Sequence, residues 1–336
     1  MYQELPSLCK AYEKYFKIGA AVQPQNLTAQ RNLLKKHFNS LTASACMKFG
    51  PVHPEEYRWD FADADAIIAF AKENGMGVRA HAPVWHQQTE DWLFTDRFTF
   101  ADREMILDRL EDHIRVMAGR YGEDVYAWDV VNEAIVDDPN GYMRETKWYT
   151  LIGEDYIDYA YRFVKKYAPK TKVYYNDYNE FNPAKRDNIV RLMRGMQERD
   201  VPLDGFGLQQ HVNIYTSLDD IKAAIEAYAT LGIELQVTEL DVSLYHPKDR
   251  PNPYYPYRPT IPTKEDFIRQ GKMYEDLFEI YRSYSDVINS VTTWGAADDL
   301  TWLDVHPVPG RKNYPLLFSY DHTPKPCTRA IVEAVL

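Results

Sequence analysis

Eight short apolar runs recur along the chain, and most are followed by a longer stretch whose apolar residues come three and four apart. The runs are Phe16 to Val22, Phe38 to Leu41, Gly77 to His81, Val125 to Asn132, Val173 to Asn176, Gly205 to Gln209, Leu235 to Glu239 and Val291 to Trp294. Runs this short and continuous read as strands buried on both faces. The stretches Phe61 to Asn74, Arg103 to Tyr121, Glu154 to Tyr167, Lys185 to Arg199, Leu218 to Leu231 and Lys264 to Ser285 read as amphipathic helices. Such alternation predicts an α/β chain with a parallel sheet, and this many units predict a closed (β/α)8 TIM barrel. The rival, a doubly wound open sheet, calls for a glycine-rich phosphate loop after a strand, and neither GxGxxG nor GxxxxGK[ST] follows any of these runs.

A chain of 336 residues with 45% hydrophobic content can bury one such barrel. No linker, low-complexity tract or internal repeat interrupts it, so residues 1–336 are expected to form a single domain. Prolines and tyrosines crowd Tyr245 to Pro262, which reads as a long loop over the mouth of the barrel. The net charge of -11 argues against nucleic acid, whose binding needs clustered Lys and Arg. Cys9, Cys46 and Cys327 are scattered, with no CxxC pair to suggest a disulfide framework or zinc knuckle. The N-terminus lacks the basic start and apolar stretch of a signal peptide, and no long apolar window suggests a membrane span. Taken as the native start, it predicts a cytoplasmic protein, monomeric or weakly self-associating.

In a parallel barrel the active site forms at the C-terminal ends of the strands. Here those ends carry His81, Asn132 and Glu133, Asn176 and Asp177, Gln209 and His211, Glu239 and Asp241, and Trp294. Glu133 and Glu239 close the fourth and seventh runs, which hands one carboxyl from each to a common site. A carboxyl pair across a sugar ring is the minimum machinery for cutting a glycosidic bond, so a hydrolase is the first reading. His81 and His86 lie near Glu90, but not at HExxH spacing, and no metal or other cofactor is expected.

The strings Arg79-Ala-His-Ala-Pro-Val-Trp-His-Gln-Gln88, Trp128-Asp-Val-Val-Asn-Glu133, Gly205-Phe-Gly-Leu-Gln-Gln-His211, Thr238-Glu-Leu-Asp241 and Thr293-Trp-Gly295 resemble the motifs of glycoside hydrolase family 10, the endo-1,4-β-xylanases, in order and spacing. The resemblance runs from about Phe16 through Leu317. It implies a retaining double displacement on β-1,4-xylosidic bonds of xylan or xylo-oligosaccharides, with Glu133 as acid/base and Glu239 as nucleophile. A retaining pair stands roughly 5 to 5.5 Å apart, with the acid carrying its proton and the nucleophile ionised. The same matching implies that Asn132 bonds both a sugar hydroxyl and the nucleophile, and that His211 bonds Glu239 while Asp241 fixes its tautomer. Gln209 and Asn176 belong to this set. Lys48, His81 and Gln88 would bind sugar hydroxyls, with Trp85, Trp294 and Trp302 as apolar walls and Trp128 in the core. Tyr178, Tyr215, Arg311 and Lys312 would line the leaving-group side.

One departure stands out. Where the family has Glu-Asn before its Met-Lys pair, this chain reads Thr42-Ala-Ser-Ala-Cys-Met-Lys48, so Ser44 and Ala45 replace two sugar-binding side chains. Val212 replaces an aromatic residue after the histidine. The non-reducing subsite is therefore expected to be weak or reshaped. The alternatives left open are a retaining glycosidase acting on β-glucans or decorated oligosaccharides, and a barrel that binds sugar without cutting it.

Overall fold

The computed structural model describes residues 5–251, 257 and 260–336. Among them, eight parallel strands close into a barrel: β1 (Lys17–Val22), β2 (Ser40–Ala43), β3 (Gly77–Val84), β4 (Ala127–Asn132), β5 (Lys172–Asp177), β6 (Gly205–Leu208), β7 (Glu234–Ser243) and β8 (Ile288–Thr293). Each pairs with its neighbour in sequence, and β8 returns to β1. The outer ring is α1 (Arg31–His37), α2 (Ala62–Glu73), α3 (Arg103–Tyr121), α4 (Tyr156–Tyr167), α5 (Pro183–Glu198), α6 (Leu218–Ala229), α7 (Lys264–Ser283) and α8 (Pro326–Glu333). No helix among the described residues is long and apolar enough to cross a membrane. In the proline- and tyrosine-rich segment, residues 252–256 and 258–259 lie outside the described residues.

The helices form where their sequences dictate. In α3 the buried residues Ile106, Leu110, Ile114, Met117 and Tyr121 recur at three and four, and the Asp102 carboxylate caps the first turn through the Met105 amide at 2.8 Å. Gly122 is its C-cap, with its backbone amide on the Ala118 carbonyl at 2.8 Å. Trp128, assigned to the core, is fully buried.

Two features differ from simple reading of the runs. Strand six is broken: β6 stops at Leu208 and a separate short strand, His211–Asn213, pairs with the far end of β7. In addition, β3, β4 and β7 carry register shifts between His81 and Val84, Asp129 and Val131, and Val237 and Leu240. Each inserts extra chain and resets which side chains face inward.

The barrel interior holds a buried ion pair. Arg79 on β3 donates two bonds to Asp129 on β4, at 3.1 and 2.6 Å, and a third across the barrel to Gln236 on β7. Asp129 also accepts from His81 Nδ1 at 3.0 Å. Burial works against the Asp129 charge, but Arg79 and His81 outweigh it and hold the carboxyl below its ordinary range. Truncating one partner strands the other without water or counter-charge, so Asp129→Ala is expected to lower the unfolding free energy by about 3–5 kcal/mol in denaturant titration. A loss under about 1 kcal/mol would mean that Arg79 finds another partner.

Candidate active site

The site is assembled at the C-terminal mouth from strand ends that lie far apart in sequence. Its most constrained member is Glu239, 4% exposed on β7. Its Oε1 accepts from the Asn176 amide at 2.8 Å and its Oε2 from His211 Nε2 at 3.1 Å. His211 Nδ1 donates in turn to Asp241 Oδ2 at 2.9 Å, and the Trp302 indole holds that same oxygen at 2.8 Å. Burial disfavours a charged imidazole, yet Asp241 and Glu239 together raise the His211 pKa well above its usual value. It is therefore an imidazolium with both N–H groups engaged. Burial likewise opposes the Glu239 charge, but the His211 bond, the His81 and His211 charges and the Asn176 amide prevail and lower its pKa.

Glu133 follows β4 with φ of 59° and is half-buried. Trp85 donates to its Oε2 at 2.9 Å, while Asn132 and Gln209 donate to its Oε1, both at 3.1 Å. The two glutamates are linked through amides: Asn176 donates to Asn132 Oδ1 at 2.9 Å as well as to Glu239, and Gln209 also donates to Asn132 Oδ1 at 3.1 Å. Asn176 is itself fixed by the Thr238 hydroxyl at 2.7 Å. That contact passes over β6 at Gly207, where a Cβ would stand 2.3 Å from Asn176 Oδ1. Glycine is required there by close approach.

Lys48 is buried beside both glutamates, its Nζ 4.5 Å from the Trp85 ring centroid. Burial lowers its pKa against the pull of Glu239 and Glu133. Trp294 stands edge-on to His81 and His211, with ring centroids 5.5 and 6.2 Å away, and Trp302 lies 5.0 Å from His211. Gln88 is exposed at the rim with φ of 51°, and its carbonyl accepts from the Gly50 amide at 2.7 Å.

One assignment is corrected. The amide that bonds Glu239 belongs to Asn176, while Asn132 turns its own amide to Glu133. Of the residues expected on the leaving-group side, Tyr178 donates its hydroxyl to Asp137 at 2.6 Å and accepts from Arg144 at 3.1 Å. Arg311 is buried against the Tyr245 ring, with its guanidinium on the Asp249 carbonyl and the Tyr257 hydroxyl, and Lys312 is paired with Asp304. Tyr215 is exposed beside His246. Among the described residues no His, Cys, Asp and Glu side chains converge as a metal site.

Three contributors escaped sequence reasoning. Arg144 donates to the Glu133 carbonyl at 3.0 Å, Trp148 to the Trp85 carbonyl at 2.9 Å, and Asp129 orients His81. Asp129 could have been found, as a charged residue inside an apolar run; Arg144 and Trp148 act through backbone carbonyls and leave no pattern.

Residues 7–334 match the model of glycosyl hydrolase family 10. The chain is 46% identical to endo-1,4-beta-xylanase B of Paenibacillus barcinonensis across 97% of both chains. It is 42% identical to an endo-1,4-beta-xylanase of Geobacillus stearothermophilus, covering 99% of this chain and all of the other. Among solved structures, xylanase XynB from Paenibacillus barcinonensis superposes with a TM-score of 0.94 at 45% identity over 98% of each chain.

Because His211 supplies both a bond and a charge to Glu239, His211→Asn should move the Glu239 carboxyl to higher pKa in a side-chain NMR titration. The sign for stability follows. A lowered carboxyl stabilises the fold above its unfolded value near 4.5 and loses that contribution as pH falls through its folded value. The variant should therefore be destabilised least in acid. An unmoved Glu239 titration would mean that Asn176 alone holds it ionised.

Proposed function

The chain belongs to glycosyl hydrolase family 10, and from that premise we propose that it is an endo-1,4-β-xylanase working by retention, with Glu133 as acid/base and Glu239 as nucleophile. The observation that carries this reading is the unequal footing of the two carboxyls. Glu239 is buried, bound by an amide and an imidazolium, and held ionised. Glu133 is half-buried at the mouth, where a glycosidic oxygen can reach it. In the first step the Glu133 proton passes to the leaving oxygen as the C1–O bond breaks and a Glu239 oxygen bonds C1. In the second, Glu133 takes a proton from water, whose oxygen attacks C1 and releases Glu239.

The surrounding groups support that sequence. As Glu239 gives up its charge to the ester, His211 stays neutralised by Asp241 and the pocket never holds an unpaired ion. The indoles of Trp85, Trp294 and Trp302 supply apolar surface for sugar C–H faces. Lys48 and Gln88 offer donors to ring hydroxyls.

The glycone side is weaker than is usual in this family, in our reading. The Ser44 hydroxyl and amide both bond the Val22 carbonyl, at 3.2 and 3.1 Å, and Ala45 has no polar side chain. Neither reaches toward a sugar. Decorated xylo-oligosaccharides, or binding mainly on the leaving-group side, fit this arrangement better than short linear xylan.

Four outcomes test the proposal. Glu239→Ala should abolish release of labelled ends from xylotetraose in heavy-oxygen water, and the first product of the native chain should be the β-anomer by proton NMR; an α-anomer would refute retention. Glu133→Ala should cost about 10²–10⁴ in kcat on xylan and far less on an aryl β-xylobioside whose phenol leaves without help. The double replacement Ser44→Glu with Ala45→Asn should raise kcat/KM on xylotriose at least tenfold, since hydrogen bonds to charged groups are worth about 1.5–3 kcal/mol. No change would dismiss the weak-subsite reading.

A further inference from the structure

We propose that Glu180 is a positioning residue of this active site, a buried carboxyl that braces the break in strand six from outside the barrel. This rests on the roles given above to Glu133 and Glu239. The break spans Gln209 and Gln210, and its residues diverge. Gln209 faces Asn132 and Glu133, and His211 beyond it faces Glu239. Between them Gln210 takes φ of 56°, a left-handed conformation unfavourable for a residue with a side chain.

Two outer contacts hold it there. The Gln210 amide donates to Glu180 Oε1 at 2.6 Å, and its carbonyl accepts from the Tyr281 hydroxyl on α7 at 3.0 Å. Gln210 thus has its polar ends fixed on the outer side while its neighbours carry the contacts to both glutamates. Glu180, in the loop after β5, is fully buried and its Oε2 has no hydrogen-bond partner among the described residues.

The groups facing Glu180 explain why it acts uncharged. From α6, Tyr228 donates to its backbone carbonyl at 2.8 Å, and from α7 comes Tyr281; both are phenols pushed up by burial. From β5 comes Asp177, a like charge. From α5 comes Lys185, already paired with Asp177 at 2.9 Å and Asp137 at 3.0 Å, with Arg186 and Asp187 nearer Tyr228. Burial raises the Glu180 pKa to about 7, against the pull of its own backbone amide, Gln210 and Lys185. The contribution of the neutral brace is therefore complete below 4.5 and is lost as pH rises through about 7. Ionisation would set an anion against Asp177 and compete for Lys185 behind the very residue that aims Gln209 and His211.

The test is kcat and KM against pH on an aryl β-xylobioside for the native chain, Glu180→Gln and Tyr281→Phe, with NMR of glutamate carboxyls. Glu180→Gln should keep kcat near pH 6 within about threefold and move its alkaline limb up by about one pH unit or more, with KM little changed. It should also remove one glutamate resonance titrating near pH 7. Tyr281→Phe should lower kcat about tenfold with the limb in place, because Gln210 loses a tether while Glu180 keeps its acidity. An unmoved limb in folded Glu180→Gln overturns the proposal. Should that variant not fold, an unchanged kcat in Tyr281→Phe does so instead. If the native chain hydrolyses nothing, the functional reading fails separately, and the resonance near pH 7 still decides whether Glu180 is neutral.

Discussion

Everything at the mouth of this barrel answers one electrostatic constraint: Glu239 is a carboxylate almost without water. A buried anion survives only if donors and an opposite charge replace its hydration. Asn176 and His211 do so, and each needs its own support. His211 stays charged because Asp241 faces its other nitrogen, and Asp241 is tied down by Trp302. Asn176 is oriented by Thr238, a contact for which Gly207 leaves the space. One charge thereby recruits side chains from β5, the broken strand six, β7 and the segment after β8.

The same logic runs one layer deeper. Arg79, Asp129 and Gln236 fill the barrel interior with polar groups that would cost the fold heavily if any were unpaired. Asp129 serves both layers, since it neutralises Arg79 and also fixes the ring of His81 at the mouth. Stability and the electrostatics of the site are thus joined through a single carboxylate. Ser44 shows the opposite case: its hydroxyl is spent on a strand carbonyl, that of Val22 at 3.2 Å.

The break in strand six is where backbone conformation and chemistry meet most directly. The left-handed Gln210 stands between Gln209 and His211, which serve different glutamates, and its own side chain turns outward to Glu180 in the loop after β5 and to Tyr281 on α7.

Much of the architecture was legible in the order of residues. Apolar runs and three-and-four periodicity predicted the eight strands and six of the eight outer helices to within a few residues, because burial on both faces and on one stripe leave distinct patterns; the short helices Arg31–His37 and Pro326–Glu333 went unread. Polar residues ending those runs pointed to Glu133, Glu239, His211 and Asn176. What the order of residues could not decide was direction. Gln236, Thr238, Glu239 and Asp241 all engage the interior or the site, although period two would split them between faces; the irregularity between Val237 and Leu240 reconciles them. For the same reason the Glu239 amide partner is Asn176 and not Asn132, and Glu180 gives no sign in sequence of its buried, unpaired oxygen. Periodicity is a local property of the chain, whereas the facing of a side chain after a bulge, and the ions it meets across the barrel, exist only once the strands are paired.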